Sequence, residues 1–219
     1  ALLFLESGKD LNEEITIPTS LTQEFKDIQN ANGSTMNLRI GETVRRIDLL
    51  YGLLVASAND AASVIASDVS GGNLPAFVSM MNQKAQELGC TGTSFTCVHG
   101  LYDYGNVSTA EDLAKIASAC YANETYMQVA NTQSYTLPAT NLHPEPRIIR
   151  STNALISNFR VAGYIYEYAT GIKTGSTPEA GYCLAASATR ENRNLISVVM
   201  GCEREPGTSG SEGYIYFDE

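Results

Sequence analysis

Two short runs carry residues that can do chemistry together. Lys173-Thr174-Gly175 is followed by Ser176-Thr177-Pro178 and opens on a lysine, whose fixed positive charge suits a substrate carboxylate. The Thr174 hydroxyl can donate to the same carboxylate, and Gly175 leaves room for a substrate backbone along the strand. The Ser176 N–H can then help to hold a developing oxyanion. A surface strand with a lysine and a turn reads the same residues equally well, since composition alone produces this tripeptide in roughly one chain of this length in twenty. The second run is Ser57-Ala58-Asn59. Its serine can relay a proton to a leaving amine and its amide can hold a substrate carbonyl, or the pair can simply cap the next helix. The pattern recurs at Ser151-Thr152-Asn153, which shows how easily it arises, and position separates the two copies. Only the first lies between the apolar run 49–56 and the small residues Asp60-Ala61-Ala62, at a junction between two buried helices.

The elements that must position these groups follow from periodicity and turn chemistry. A first helix ends near Ser7-Gly8-Lys9, and Glu14-Ile15-Thr16-Ile17-Pro18 alternates as a short strand. The stretch 30–34 is a loop. Residues 47–56 form a helix buried on most sides, and 59–67 form a second, alanine-rich one. Asn73 caps a helix with Pro75 in its first turn, which runs to Gly89. Residues 93–101 are irregular. Ser108-Thr109-Ala110-Glu111 reads as a capping box opening a helix to about Cys120. Arg45 stands where a capping Ser, Thr, Asp or Asn is usual, which shortens the start of the apolar helix. After Asn123 the segments 135–137, 147–150, 169–174, 182–189 and 195–201 read as strands, with 190–194 as a hairpin loop between the last two. Helices first and strands after is an α+β pattern, a helical lobe packed against an antiparallel sheet. The expected organisation is a mainly helical lobe over 1–122, a mainly sheet-forming part over 123–205, and a linker or tail over 206–219.

The 219 residues are enough to bury a substantial core, and no apolar run is long enough to cross a bilayer. A net charge of -10 argues against nucleic acid or an anionic membrane surface as partner. Cys90, Cys97, Cys120, Cys183 and Cys202 contain no C-x-x-C pair, and His99 and His143 are far apart, so a zinc site is not expected. The cysteines read as free thiols, with Cys183 and Cys202 as a pair that can alternatively face each other across a hairpin. His143 reads as an exposed loop residue. The tyrosines of 164–168 read as cleft lining or as a half-buried strand edge. The opening Ala1-Leu2-Leu3-Phe4-Leu5-Glu6 reads as the middle of a helix with no cap before it, and so as a sequence that begins inside a larger domain.

Taken in order, Asn30-Ala31-Asn32-Gly33-Ser34-Thr35-Met36, 40–42, 49–62, His99-Gly100-Leu101, Ser108-Thr109-Ala110 and 171–176 resemble the serine-type D-Ala-D-Ala carboxypeptidases. These are the low-molecular-mass penicillin-binding proteins, and the likeness runs from Ala1 to about Gly201. It implies a β-lactamase/transpeptidase-like fold. It also implies removal of the terminal D-alanine from peptidoglycan pentapeptide stems through a serine acyl-enzyme that water hydrolyses. By resemblance Ser57, Asn59 and Lys173 are catalytic, while Thr174, Gly175, Ser176 and His99 bind substrate. His99 matches a family loop at the mouth of the site, and a loop histidine bonded to backbone is the plainer alternative. No metal or cofactor is implied. The partners are stem peptides ending in D-Ala-D-Ala, with β-lactams as inhibitors that trap the nucleophile, in an extracytoplasmic, envelope or secreted setting.

The family's nucleophile lies in a Ser-x-x-Lys motif. None of Lys9, Lys26, Lys84, Lys115 and Lys173 has a serine three residues before it. The resemblance places that motif upstream of Ala1, so the chain alone is expected to be inactive, with any membrane anchor also in segments outside it. Two other functions fit parts of the pattern. One is a non-catalytic peptidoglycan-stem or β-lactam-binding module. The other is a class A β-lactamase, which needs a glutamate for the deacylating water; Glu111 and Glu124 are nearest in sequence, and the capping box already accounts for Glu111.

Overall fold

Apolar spacing sets where the helices form, and three of them also open on an Asn or Thr side-chain cap. The structure, a computed structural model, describes residues 1–203, so the tail expected over 206–219 lies outside the described residues. The helices are α1 (Leu2–Glu6), α2 (Thr22–Asn30), α3 (Arg46–Val55), α4 (Asn59–Ser70), α5 (Leu74–Glu87), α6 (Ala110–Tyr121) and α7 (Glu124–Ala130). The strands are β1 (Glu14–Thr16), β2 (Thr43–Arg45), β3 (Ser134–Leu137), β4 (Arg147–Arg150), β5 (Ala169–Thr177), β6 (Gly181–Arg190) and β7 (Arg193–Cys202). All pairings are antiparallel: β1 with β2, β3 with β4, and a sheet in the order β5-β6-β7. Helices α6 and α7 pack against that sheet, and one apolar core joins Phe4, Leu49, Leu50, Ile65 and Val129 to Ile172 of β5. This is the expected α+β arrangement.

The centre of the helical lobe is α3 against α4. Gly52 leaves room for the Met36 side chain over α3, because a Cβ there would run into the Met36 Sδ. Arg45 precedes α3 without capping it, yet the helix starts in full. The guanidinium instead makes two 2.9 Å hydrogen bonds to Asp48, and Asp48 also accepts from the Tyr135 hydroxyl at 2.7 Å. Tyr51 stacks on Tyr135 with ring centroids 3.7 Å apart, so hairpin β3–β4 is fastened to α3. Asn73 caps α5 as expected, accepting from the Ala76 N–H at 3.0 Å.

Several elements differ from the sequence reading. Helix α2 was not anticipated. Helix α7 falls where strands were expected to begin, because Asn123 caps it by accepting from the Tyr126 N–H at 2.9 Å. The cap of α6 is Thr109 rather than Ser108, and it accepts from Asp112 at 3.1 Å. The reason is that the Asp112 carboxylate turns inward to the 91–93 loop, accepting from the Gly92 N–H at 2.7 Å and the Thr93 hydroxyl at 2.8 Å. Glu111 stays exposed and pairs with Lys115. The tyrosines of 164–168 lie in the irregular segment before β5, not on a strand edge, and the Tyr168 ring faces the Arg190 guanidinium at 5.0 Å. The β6–β7 turn is tighter than expected: Arg190 pairs with Arg193, and Glu191 and Asn192 are both left-handed at φ 50 and 62.

All five cysteines are free. The register partner of Cys202 is Tyr182, so Cys183 is one residue out of step and the two thiols do not face each other across the hairpin. His143 is not exposed. Glu42 is fully buried and accepts from Arg147 Nη2 at 2.5 Å, the Thr140 hydroxyl at 2.9 Å and the Arg39 N–H at 2.9 Å. His143 joins this cluster, with Nε2 2.9 Å from the Asn37 carbonyl oxygen and 3.6 Å from Glu42.

Candidate active site

Ser57 sits on the sharp turn between α3 and α4. The Ala58 N–H donates back to the Gly52 carbonyl at 3.0 Å and the Asn59 N–H to the Ser34 carbonyl at 2.8 Å, which pulls the chain round within three residues. The turn forces Ser57 into the left-handed region, at φ 57, where a non-glycine residue is strained. Its hydroxyl is thereby held out from the helix ends toward β5.

Strand β5 supplies the opposing wall. Lys173 Nζ donates to Ser57 Oγ at 2.6 Å and to the Thr174 carbonyl at 2.7 Å. The residue is half-buried but its ammonium lies at the enclosed end, and burial lowers its pKa to about 8. No acidic neighbour offsets that burial, so the lysine brings a charge unclaimed by any carboxylate among the described residues. The Thr174 hydroxyl lies 2.6 Å from the Thr152 hydroxyl. Gly175 and Ser176 are exposed, and a Cβ on Gly175 would meet nothing within 4 Å. Packing therefore does not demand a glycine there, and the strand edge beside it is open.

Asn59 is 7% exposed and opens α4. With its amide nitrogen inward it donates to the carbonyls of Ser34 at 3.0 Å and Ser57 at 3.3 Å, the orientation that surrounding acceptors select. In this arrangement both amide hydrogens hold the serine turn, and none is left for a ligand. His99 lies on the neighbouring loop. Its Nε2 is 3.4 Å from Glu24, whose same oxygen accepts from the Ser63 hydroxyl at 2.9 Å. The Leu101 N–H donates to Nδ1 at 3.1 Å, so the backbone-bonded loop histidine of the plainer reading is present together with a carboxylate contact. Burial alone would lower the imidazole pKa, but hydrogen bonds to Cys97 and Glu24 outweigh it and lift it to about 9.

The structure thus brings Ser57 and Lys173 into direct contact, with Asn59 bonded to the serine turn, Thr174 next to Lys173 on β5, and Gly175 and Ser176 exposed beyond it. Thr152 was missed as a member, although the run Ser151-Thr152-Asn153 had been noticed as a repeat of the serine–asparagine pattern. Glu24 was missed as well, and nothing in its local sequence marks it. Among the described residues no group of three His, Cys, Asp or Glu side chains is placed to hold a metal ion, and no helix is long and apolar enough to cross a membrane.

Comparison with known proteins places the chain in a family. The family model described as D-alanyl-D-alanine carboxypeptidase matches residues 1–204. A D-alanyl-D-alanine carboxypeptidase of Streptomyces is 33% identical over 214 residues, covering 94% of this chain and 70% of that protein. One from Bacillus subtilis is 36% identical over 170 residues, covering 77% of this chain but only 41% of its own length. The crystal structure of a Streptomyces DD-transpeptidase superposes with a TM-score of 0.78 at 31% identity, covering 92% of this chain and 78% of the other. On the family match over residues 1–204, the relatives and the shared fold, the chain belongs to the D-alanyl-D-alanine carboxypeptidase family of serine peptidases.

Proposed function

We propose that this chain forms the substrate-gripping and proton-relaying walls of a serine D,D-carboxypeptidase, which removes the terminal D-alanine from peptidoglycan stem peptides outside the cytoplasm. The observation that carries this reading is the 2.6 Å contact between Lys173 Nζ and Ser57 Oγ. The uncommitted ammonium attracts the C-terminal carboxylate of a D-Ala-D-Ala end, and the Thr174 hydroxyl donates to the same group. The stem peptide lies along the open edge at Gly175 and Ser176, whose N–H helps to hold the oxyanion. Ser57 passes a proton toward the departing D-alanine amine, drawing on Lys173. Asn59 fixes the turn that carries Ser57. The nucleophile comes from a Ser-x-x-Lys segment, attacks the D-Ala-D-Ala carbonyl and leaves an acyl-enzyme for water to hydrolyse. β-Lactams occupy the same cleft through their carboxylate. Any membrane anchoring uses segments outside this chain.

Ser57 is poorly placed as the nucleophile itself. The Ala58 and Asn59 N–H groups that follow it are both spent on carbonyls, so neither can hold an oxyanion beside it. The test is twofold. This chain incubated with a fluorescent penicillin is expected to form no covalent adduct, and the coding sequence before Ala1 is expected to encode Ser-x-x-Lys. An adduct mapped to Ser57 makes Ser57 the nucleophile and overturns the relay role. Absence of the upstream motif leaves a binding module without turnover.

A further inference from the structure

We infer that Thr152 is a positioning residue that aims the Thr174 hydroxyl at the ligand's carboxylate; this rests on the reading of Thr174 given above. The two hydroxyl oxygens are 2.6 Å apart, so a single hydrogen lies between them. If Thr174 supplies it, Thr174 has none left for a ligand. If Thr152 supplies it, the Thr174 hydrogen is free to point outward, and accepting one bond makes it a stronger donor of the next. Neither hydroxyl has another hydrogen-bond partner among the described residues, so the contact alone fits donation in either direction and the ligand decides it. A carboxylate, which only accepts, selects the chain Thr152 to Thr174 to ligand.

The placement of Thr152 is built in. Its flanking residues are buried and occupied with local turns, the Ser151 hydroxyl accepting from the Asn153 N–H at 3.2 Å and the Asn153 side chain from the Leu155 N–H at 3.0 Å. The Thr152 N–H donates to the Val55 carbonyl at 3.3 Å, two residues before Ser57. One residue therefore touches both walls, through its backbone to the end of α3 and through its hydroxyl to β5. Its side chain is half-buried, which suits a support behind the contact rather than the contact itself.

The experiment uses the full gene product and compares two competing substrates, a peptide ending in D-Ala-D-Ala carboxylate and the same peptide as its carboxamide. Thr152→Val keeps the branched shape and removes the hydroxyl. The expected result is that the carboxylate-to-carboxamide ratio of kcat/KM falls about three- to tenfold, the size of one ordinary hydrogen bond, mainly through KM. Thr152→Ser restores the ratio. An unchanged ratio in Thr152→Val, or an equal fall on both substrates, overturns the inference and leaves Thr152 a purely structural residue. If the parent enzyme does not discriminate between the substrates and Thr174→Val changes nothing, the reading of Thr174 fails, and the inference fails with it.

Discussion

Lys173 Nζ and Ser57 Oγ stand 2.6 Å apart although 116 residues separate them in the chain. The serine comes from a strained turn between two buried helices and the lysine from the first strand of the three-stranded sheet. Each lies in a short motif legible in the sequence, yet neither motif names the other as its partner. Their contact joins two surfaces, and it leaves an ammonium whose partners, a hydroxyl and a carbonyl, are both neutral.

That ammonium sets a pH dependence. Burial holds the Lys173 pKa at about 8, so its charge is present below that pH and lost above it. Binding of a carboxylate-ended peptide is expected to weaken as pH rises through about 8, and Lys173→Met is expected to remove the dependence. For stability the sign is the reverse. The penalty of a buried charged lysine is present below about 8 and is relieved as pH rises from there to the ordinary value of 10.5, so this group makes the fold more stable across that window. In the full gene product Lys173→Ala is expected to slow acylation by penicillin at least about tenfold, a charge-assisted contact being lost. Affinity that stays flat across the titration shows that the carboxylate is read elsewhere.

His99 provides a second titration. Its hydrogen bonds to Cys97 and Glu24 lift the imidazole to about 9 against burial, while the Leu101 N–H opposes protonation by donating to Nδ1 at 3.1 Å. The raised value gives stability that is full below the ordinary 6.5 and is lost as pH rises through about 9. Proton NMR is expected to show the His99 ring titrating near 9, with the Leu101 amide shifting at the same midpoint. Glu24→Gln is expected to lower that midpoint. A midpoint near 6.5 in both proteins means that the Glu24 contact does not form in solution.

Glu42 tests the long-range architecture. It is wholly buried and joins Arg147, Thr140 and the Arg39 backbone. Glu42→Gln keeps the shape but leaves Arg147 without its carboxylate, and breaking a buried pair from one side costs roughly 3–5 kcal/mol. Urea unfolding followed by circular dichroism is the measurement. A loss below about 1 kcal/mol would place the pair in the screened, exposed class instead.

The sequence by itself determined what short range can determine. The apolar density of α3, the alanine-rich α4, the Asn73 cap of α5 and the strands β6 and β7 were all legible, because each depends on residues a few positions apart. It also carried the motifs that mark the family. The cap of α6 was misplaced by one residue for a tertiary reason: Asp112 is drawn to a loop some twenty residues earlier. His143 was read as exposed because it lies in a loop between Leu142 and Pro144, and the Asn37 carbonyl and the Glu42 carboxylate, about a hundred residues away, draw it in. Thr152 looked like a chance repeat until the fold set its hydroxyl beside Thr174. Tertiary structure alone brought the Ser57 hydroxyl within hydrogen-bond reach of Lys173. A hydrogen bond between distant residues depends on how whole elements close on one another, and local spacing holds no record of that.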